Sequence, residues 1–302
     1  MRRMLLLFLV LLPISYLDAQ DRPQVPPDAR QRLSGITGTP AYQVINANRF
    51  LMWHRSDGQS GHSPTGEGVY YPRGTAIVAY QDGILWAGKA YLDSAFTQPA
   101  PPHTIRVGGQ TYNVGTRAGW VNGFGSAATP ADINDPRVRI YKIRRDFAYL
   151  SAEELAADAA DFFEKSVSQV TQAEIDSLRN QYERDWREWP VERGAPYIER
   201  NGIPGYQPPP TLIHPDELIT NNYDEPGIAG ADPNFPADQV IFTVYNDLNL
   251  SFTTGLYGSY PLGLEVQSTL WAYKRFATID NTVFHRVRLI NKGGVDIGGG
   301  TK

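Results

Sequence analysis

No cysteine occurs in the chain. Its absence removes disulfides, thiolate nucleophiles and every Cys-ligated zinc or iron–sulfur centre together, and it leaves no residue for lipoprotein acylation. Concentrated positive charge is missing too. The formal net charge is −4 with both signs interspersed, so no basic face is available for a phosphate backbone, and nucleic acid is excluded as a partner. Lysine is scarce beside arginine, which favours planar pairing with carboxylates and stacking on aromatic rings. Catalytic signatures are equally thin: Gly-x-Ser-x-Gly, His-Glu-x-x-His and a complete phosphate loop, Gly-x-x-x-x-Gly-Lys followed by Ser or Thr, do not appear. Beyond the N-terminus no segment approaches the roughly 18 apolar residues of a membrane span. Once its leader is removed, the chain is expected not to be an integral membrane protein.

What is present begins with a strong local signal. The opening "MRRMLLLFLVLLPISYLDAQ" has two arginines, an apolar run from Met4 to Leu12, a breaking Pro13 and then small and polar residues. That is the layout of a Sec signal peptide over residues 1–19, with cleavage near Ala19. Residues 20–40 are polar and Pro-rich and read as a mobile leader. The 302 residues, 41% hydrophobic and 12% aromatic, can still build a substantial core without staples.

Residues 41–294 read as a β-rich domain. In "TAIVAYQDGILWAGKAY" two apolar runs flank Gln81-Asp82-Gly83, a hairpin signal, and "HTIRVGGQTYNVG" repeats it around Gly108-Gly109. The period then changes. Ser151 with Glu154 and Thr171 with Glu174 form capping boxes. Behind the second box Ile175, Leu178, Tyr182 and Trp186 share one helical face, and Pro190 ends the run. The spacing predicts an α-helical hairpin inserted at about 151–188. Residues 190–238 form a long Pro/Gly-rich loop. Three strands follow: "QVIFTVY", "GLEVQSTLWAYKRF" and "NTVFHRVRLIN", the last two an antiparallel pair. The alternation places His285 on the core face with Val283 and Val287. The tail 295–302 is Gly-rich and lies just past a strand edge, which marks it as a probable truncation point of a longer protein. The fold class expected is mainly β, an antiparallel sandwich-like core with the helical hairpin inserted.

Candidate chemistry is sparse. Among the histidines, His54 with Asp57 suits general base work and His54 with His62 suits a metal, but neither spacing matches a known ligand pattern. "GQSGHSPTGEG" around His62 reads as a surface turn. Glu265, Trp271 and Tyr273 share one strand face, an arrangement able to stack a saccharide beside a carboxylate; the competing reading is a packed sheet face. Glu199 and Asn201 in "YIERNGIPGY" match the first oxygen positions of a calcium loop, without its terminal acid. In "VYNDLN", Asn246 and Asp247 could add calcium ligands with help from Asp224, Asp232 or Asp238. The structural alternative is an Asx turn closing a strand.

Taken in order, "DWREWPVERGAPYIERNG", "ADQVIFTVYNDLN", "YGSYPLGLEVQSTLWAYKRF" and "VFHRVRLINKGG" resemble the N-terminal region of large secreted proteins of the Bacteroidetes–Ignavibacteria–Marinimicrobia type, which often carry a C-terminal type IX secretion sorting domain. The resemblance spans roughly residues 45–294 and implies export to the cell surface or the medium, with type IX export by analogy only. In similar proteins the segment after "GAPY" reads Asp-x-Asn-Gly-x-Gly, a calcium-type loop; Glu199, Asn201 and Pro204 depart from it here. The resemblance carries no catalytic residues. The function expected is therefore an exported, non-catalytic cell-surface or extracellular protein of structural or adhesion type, with other surface proteins or extracellular polysaccharide as partners. The alternatives are a carbohydrate-active protein and a calcium-stabilised module; no other cofactor is implied.

Overall fold

The computed structural model describes residues 41–196, 237–274 and 278–297. Residues 1–40, expected as signal peptide and leader, most of the loop expected at 190–238 and the end of the tail lie outside the described residues. Within them the chain is mainly β, with all its sheets antiparallel. β1 (Tyr42–Ile45), β2 (Met52–Arg55) and β3 (Ser60–Gly61) form one sheet. β4 (Val69–Tyr70) pairs with β5 (Ile77–Ala79), and β6 (Leu85–Lys89) with β7 (Ile105–Gly109). β8 (Arg117–Ala118) joins the main sheet, while β9 (Val121–Asn122) and β10 (Thr129–Pro130) pair separately. The main sheet runs in the order β11 (Tyr141–Arg144), β12 (Gln239–Asn246), β13 (Leu264–Ala272), β14 (Val283–Asn291).

Two hairpins expected from the sequence are connected otherwise. The runs on either side of Gln81-Asp82-Gly83 do not pair with each other; β5 turns back to β4 and β6 pairs forward with β7. Asp82 instead bridges to Ser60, with both backbone N–H bonds formed, at 2.8 and 3.1 Å. Gly108 and Gly109 end β7 opposite Trp86 and Leu85, and the turn lies beyond them, closed by a Gln110–Val114 bridge. At Gly109, φ of +123° and the Ile84 carbonyl 2.0 Å from a would-be Cβ admit only glycine. A turn dipeptide thus marked a strand end and not a hairpin loop.

The main sheet has two differently filled faces. On one, Ile241, Leu270 and Ala272 pack against Ile45 of β1, which makes the sandwich-like layer, and Trp86 of β6 extends the cover over Tyr245 and Val266. On the other, Phe242, Val244, Trp271 and Tyr273 meet Trp186, Trp189 and Val191. Every residue of β12 is buried, as a central strand covered on both sides requires.

The helical hairpin is α1 (Ala152–Phe163) and α2 (Gln172–Arg187), each opened by the capping box read from the sequence. Leu178 and Tyr182 of α2 pack with Leu155, Ala159 and Phe162 of α1 on Val44 and Trp53, the outer side of the small sheet. One turn later Trp186 enters the core on the second face of the main sheet, with Phe242 and Trp271. A single stripe at 3.6-residue spacing therefore serves two cores, passing over the β11 edge. Under it lies a charged cluster: Asp158 accepts from Arg144, Asn46 and the Tyr182 hydroxyl, and the buried Lys142 ammonium donates to Asn46 at 3.1 Å. A third helix, α3 (Leu250–Tyr257), was not expected; Asn249 caps it by accepting from the Phe252 N–H at 3.2 Å. No helix among the described residues is long and apolar enough to cross a membrane.

Candidate functional site

Among the residues singled out in the sequence, Asn246, Asp247, Glu265, Trp271 and Tyr273 are buried in the fold. Asn246 donates to the Gly119 carbonyl at 2.7 Å and accepts from the Leu248 N–H at 3.1 Å, which is an Asx turn. Asp247 is fully buried and accepts from the backbone N–H groups of Leu262, Gly263 and Leu264 at 2.7–3.0 Å. Burial pushes its carboxyl up, and those three bonds pull it back only in part. Its oxygens are thus occupied in fixing the entry to β13. Glu199, Asn201, Asp224 and Asp232 lie outside the described residues. Among the described residues no cluster of His, Cys, Asp or Glu has the grouping of a metal site.

The supposed saccharide face is packed. Trp271 is 3% exposed and stacks on Phe284 at 5.2 Å, and Tyr273, 4% exposed, meets the same ring edge-on. Glu265 accepts from the Val121 N–H at 2.8 Å and from Gln267 at 3.1 Å, with Lys292 at 3.9 Å. The alternation of β13 was read correctly, but both of its faces are covered, so these rings present no open surface. This corrects the placement of a sugar platform at Glu265, Trp271 and Tyr273.

An open aromatic row exists elsewhere. A hollow of about 360 Å³ is lined by Arg55, Gln59, His62, Tyr80, Gln81, Tyr112, Asn113 and Val114. His62 and Tyr80 stack at 5.8 Å with 11° between the rings, and Tyr112 follows at 6.4 Å and 30°. Tyr80 is 49% and Tyr112 81% exposed. The fold sets this row deliberately apart from the core. Tyr80 directly follows β5, just before the Asp82–Ser60 bridge, and Tyr112 sits at the tip of the Gln110–Val114 turn.

The polar atoms around the row are arranged in a definite way. Gln59 and Gln81 both donate their amide N–H to the Thr111 carbonyl, which holds the two side chains and leaves their carbonyl oxygens without a hydrogen bond to any described residue. Among the described residues, the Asn113 side-chain amide and the hydroxyls of Tyr80 and Tyr112 have no hydrogen-bond partner either. Arg55 is clamped by Asp57 through two parallel N–H···O bonds, so its charge is matched within the protein. Acceptors, donors and ring faces without net charge suit a neutral, polyhydroxylated ligand. Sequence reading passed over Tyr80 and Tyr112 because each belongs to a short segment whose partner is distant in the chain. The usable signal was an aromatic residue inside "GGQTYN", where a turn exposes it.

A second constellation lies under one wall of the hollow. The Ser268 hydroxyl is 2.8 Å from Nε2 of His285 and 3.1 Å from Nε2 of His54, and Nδ1 of His285 lies 3.8 Å from Asp82. These are the residue types of a hydrolytic triad, but Ser268 and His54 are completely buried. The hydroxyl is enclosed between two sheets with no space for an acyl group.

Comparison with known proteins yields no matching family model, no matching curated protein and no matching solved structure.

Proposed function

We propose that the chain is an exported, non-catalytic cell-surface or extracellular module of adhesion type that holds neutral polysaccharide in the hollow at His62, Tyr80 and Tyr112. The observation that carries this is the exposed ring row bordered by held amides whose oxygens have no partner among the described residues. Rigid tyrosines supply contact area at small cost in side-chain entropy, and the anchored amides supply direction. The signal-type N-terminus and the resemblance to secreted proteins support export. The enclosure of Ser268 supports a binding role over a hydrolytic one.

The test is calorimetric titration of the protein with a panel of neutral and acidic polysaccharides. Binding to a neutral polymer is expected, and Tyr112→Ala is expected to weaken it about tenfold, roughly 1.4 kcal/mol, with no change in melting temperature. Tyr80→Ala gives a larger loss because Tyr80 joins both neighbours. Absence of binding across the panel, or affinity indifferent to both substitutions, overturns the reading.

A further inference from the structure

The line Asp82–His285–Ser268–His54 runs from a half-exposed carboxylate to a sealed imidazole. Its proton arrangement is constrained. One hydroxyl proton is shared between two Nε2 atoms, so one ring accepts from Ser268 and the other donates to it. Asp82 beside Nδ1 of His285 favours the proton on that nitrogen. His285 Nε2 is then the acceptor, Ser268 donates to it, and His54 donates to Ser268 through its own Nε2–H. The bare Nδ1 of His54 is buried without a partner. Across the β1–β2 pair stands Gln43, whose amide nitrogen and oxygen are likewise buried and unpartnered.

One added proton can be accommodated: His285 becomes the donor, Ser268 turns toward His54, and the His54 proton moves to Nδ1. A second cannot. With both rings charged, both Nε2–H groups point at the same oxygen, the hydroxyl proton has no acceptor, and two cations face each other with ring centroids 5.6 Å apart.

We propose that this line is an acid-sensitive latch beneath the hollow, holding its Tyr80–Gln81 wall while the histidines are not both protonated and releasing it when they are. The wall is coupled to the latch through Asp82, which follows Gln81 and is tied to Ser60 by two backbone bonds and by a side-chain bond at 3.2 Å. The ionisable groups acting on His54 are His285 from β14 and Asp82 from the loop after β5. β13 contributes Ser268, and its own sheet contributes Gln43 and Ser60. Arg55 lies on the opposite side of β2, paired with Asp57, and Arg286 and Arg288 alternate onto the other face of β14. Burial first, and His285 second, hold the His54 imidazolium well below the usual histidine range, with Asp82 opposing. The neutral ring is therefore the folded-state form, and its contribution to stability falls as pH drops below about 6.5, the unfolded value.

The latch is tested on the protein without ligand, so its failure is distinct from failure of the saccharide reading. Hydrogen exchange of the Ser60 and Asp82 amides, corrected for intrinsic rates, is compared at pH 7.5 and pH 5. At least a tenfold loss of protection at pH 5 is expected in the natural protein. His285→Gln, which keeps an amide beside Ser268 but cannot be charged, is expected to shrink that loss to the part due to burial of His54 alone. Asp82→Asn, at a half-exposed site, serves if the first variant folds poorly, and is expected to shift the transition. His62→Gln, in the hollow but outside the line, should leave it unchanged. Protection equal at both pH values in the natural protein, or an acid response of undiminished size in His285→Gln, overturns the latch.

Discussion

At the scale of single residues, Asp247 shows how a side chain suited to a metal is used by its own backbone. Three N–H groups converge on it from the turn into β13. Asp247→Asn keeps the size but replaces one acceptor oxygen by a donor facing an N–H. A destabilisation of roughly 3 kcal/mol is expected, measured by urea unfolding. Because the Asn246 and Asp247 oxygens already have protein partners, a chelator should leave the melting temperature unchanged as far as these residues are concerned. The Asx turn was legible in "VYNDLN" since it depends on bonds two residues apart. The three bonds to Asp247 span 15–17 residues, a distance no local pattern encodes.

At the scale of elements, the helical hairpin was the most legible part of the molecule. Both capping boxes and the stripe from Ile175 to Trp186 are local regularities, and the structure holds them where the spacing put them. Thr171→Ala is expected to lower stability by about 1 kcal/mol. Trp186→Ala, which empties part of the main-sheet core, should cost about 3–5 kcal/mol. Comparison of their denaturation midpoints separates capping from packing. The short strands β4 to β7 were less legible. Their pairing depends on which segment lies next to which, and strands of two to five residues satisfy several partners equally. The hollow was hidden for the same reason, since its wall belongs to two such pairs.

At the scale of the whole molecule, charge buried between layers sets the pH response. Burial holds the Lys142 ammonium down to about 8, with Asp158 partly opposing. The unfolded chain keeps that proton to about 10.4. Between these values the unfolded state binds more protons, so stability is expected to rise with pH by up to roughly 3 kcal/mol. Lys142→Met should flatten that rise in melts recorded from pH 7.5 to 10. Asp158→Asn, by contrast, removes the buried carboxylate facing Arg144 and Lys142, leaves Arg144 only its exposed partner Asp146, and should cost about 3–5 kcal/mol at neutral pH.

The passage of α2 over the β11 edge ties these layers into one mechanical unit. A helix that is peeled away exposes Trp53 on one side and Phe242 on the other in the same motion. Neither sheet can then loosen while its neighbour stays shut, so calorimetry should record one sharp heat-absorption peak, and proteases should find no half-open form to cut at the hairpin.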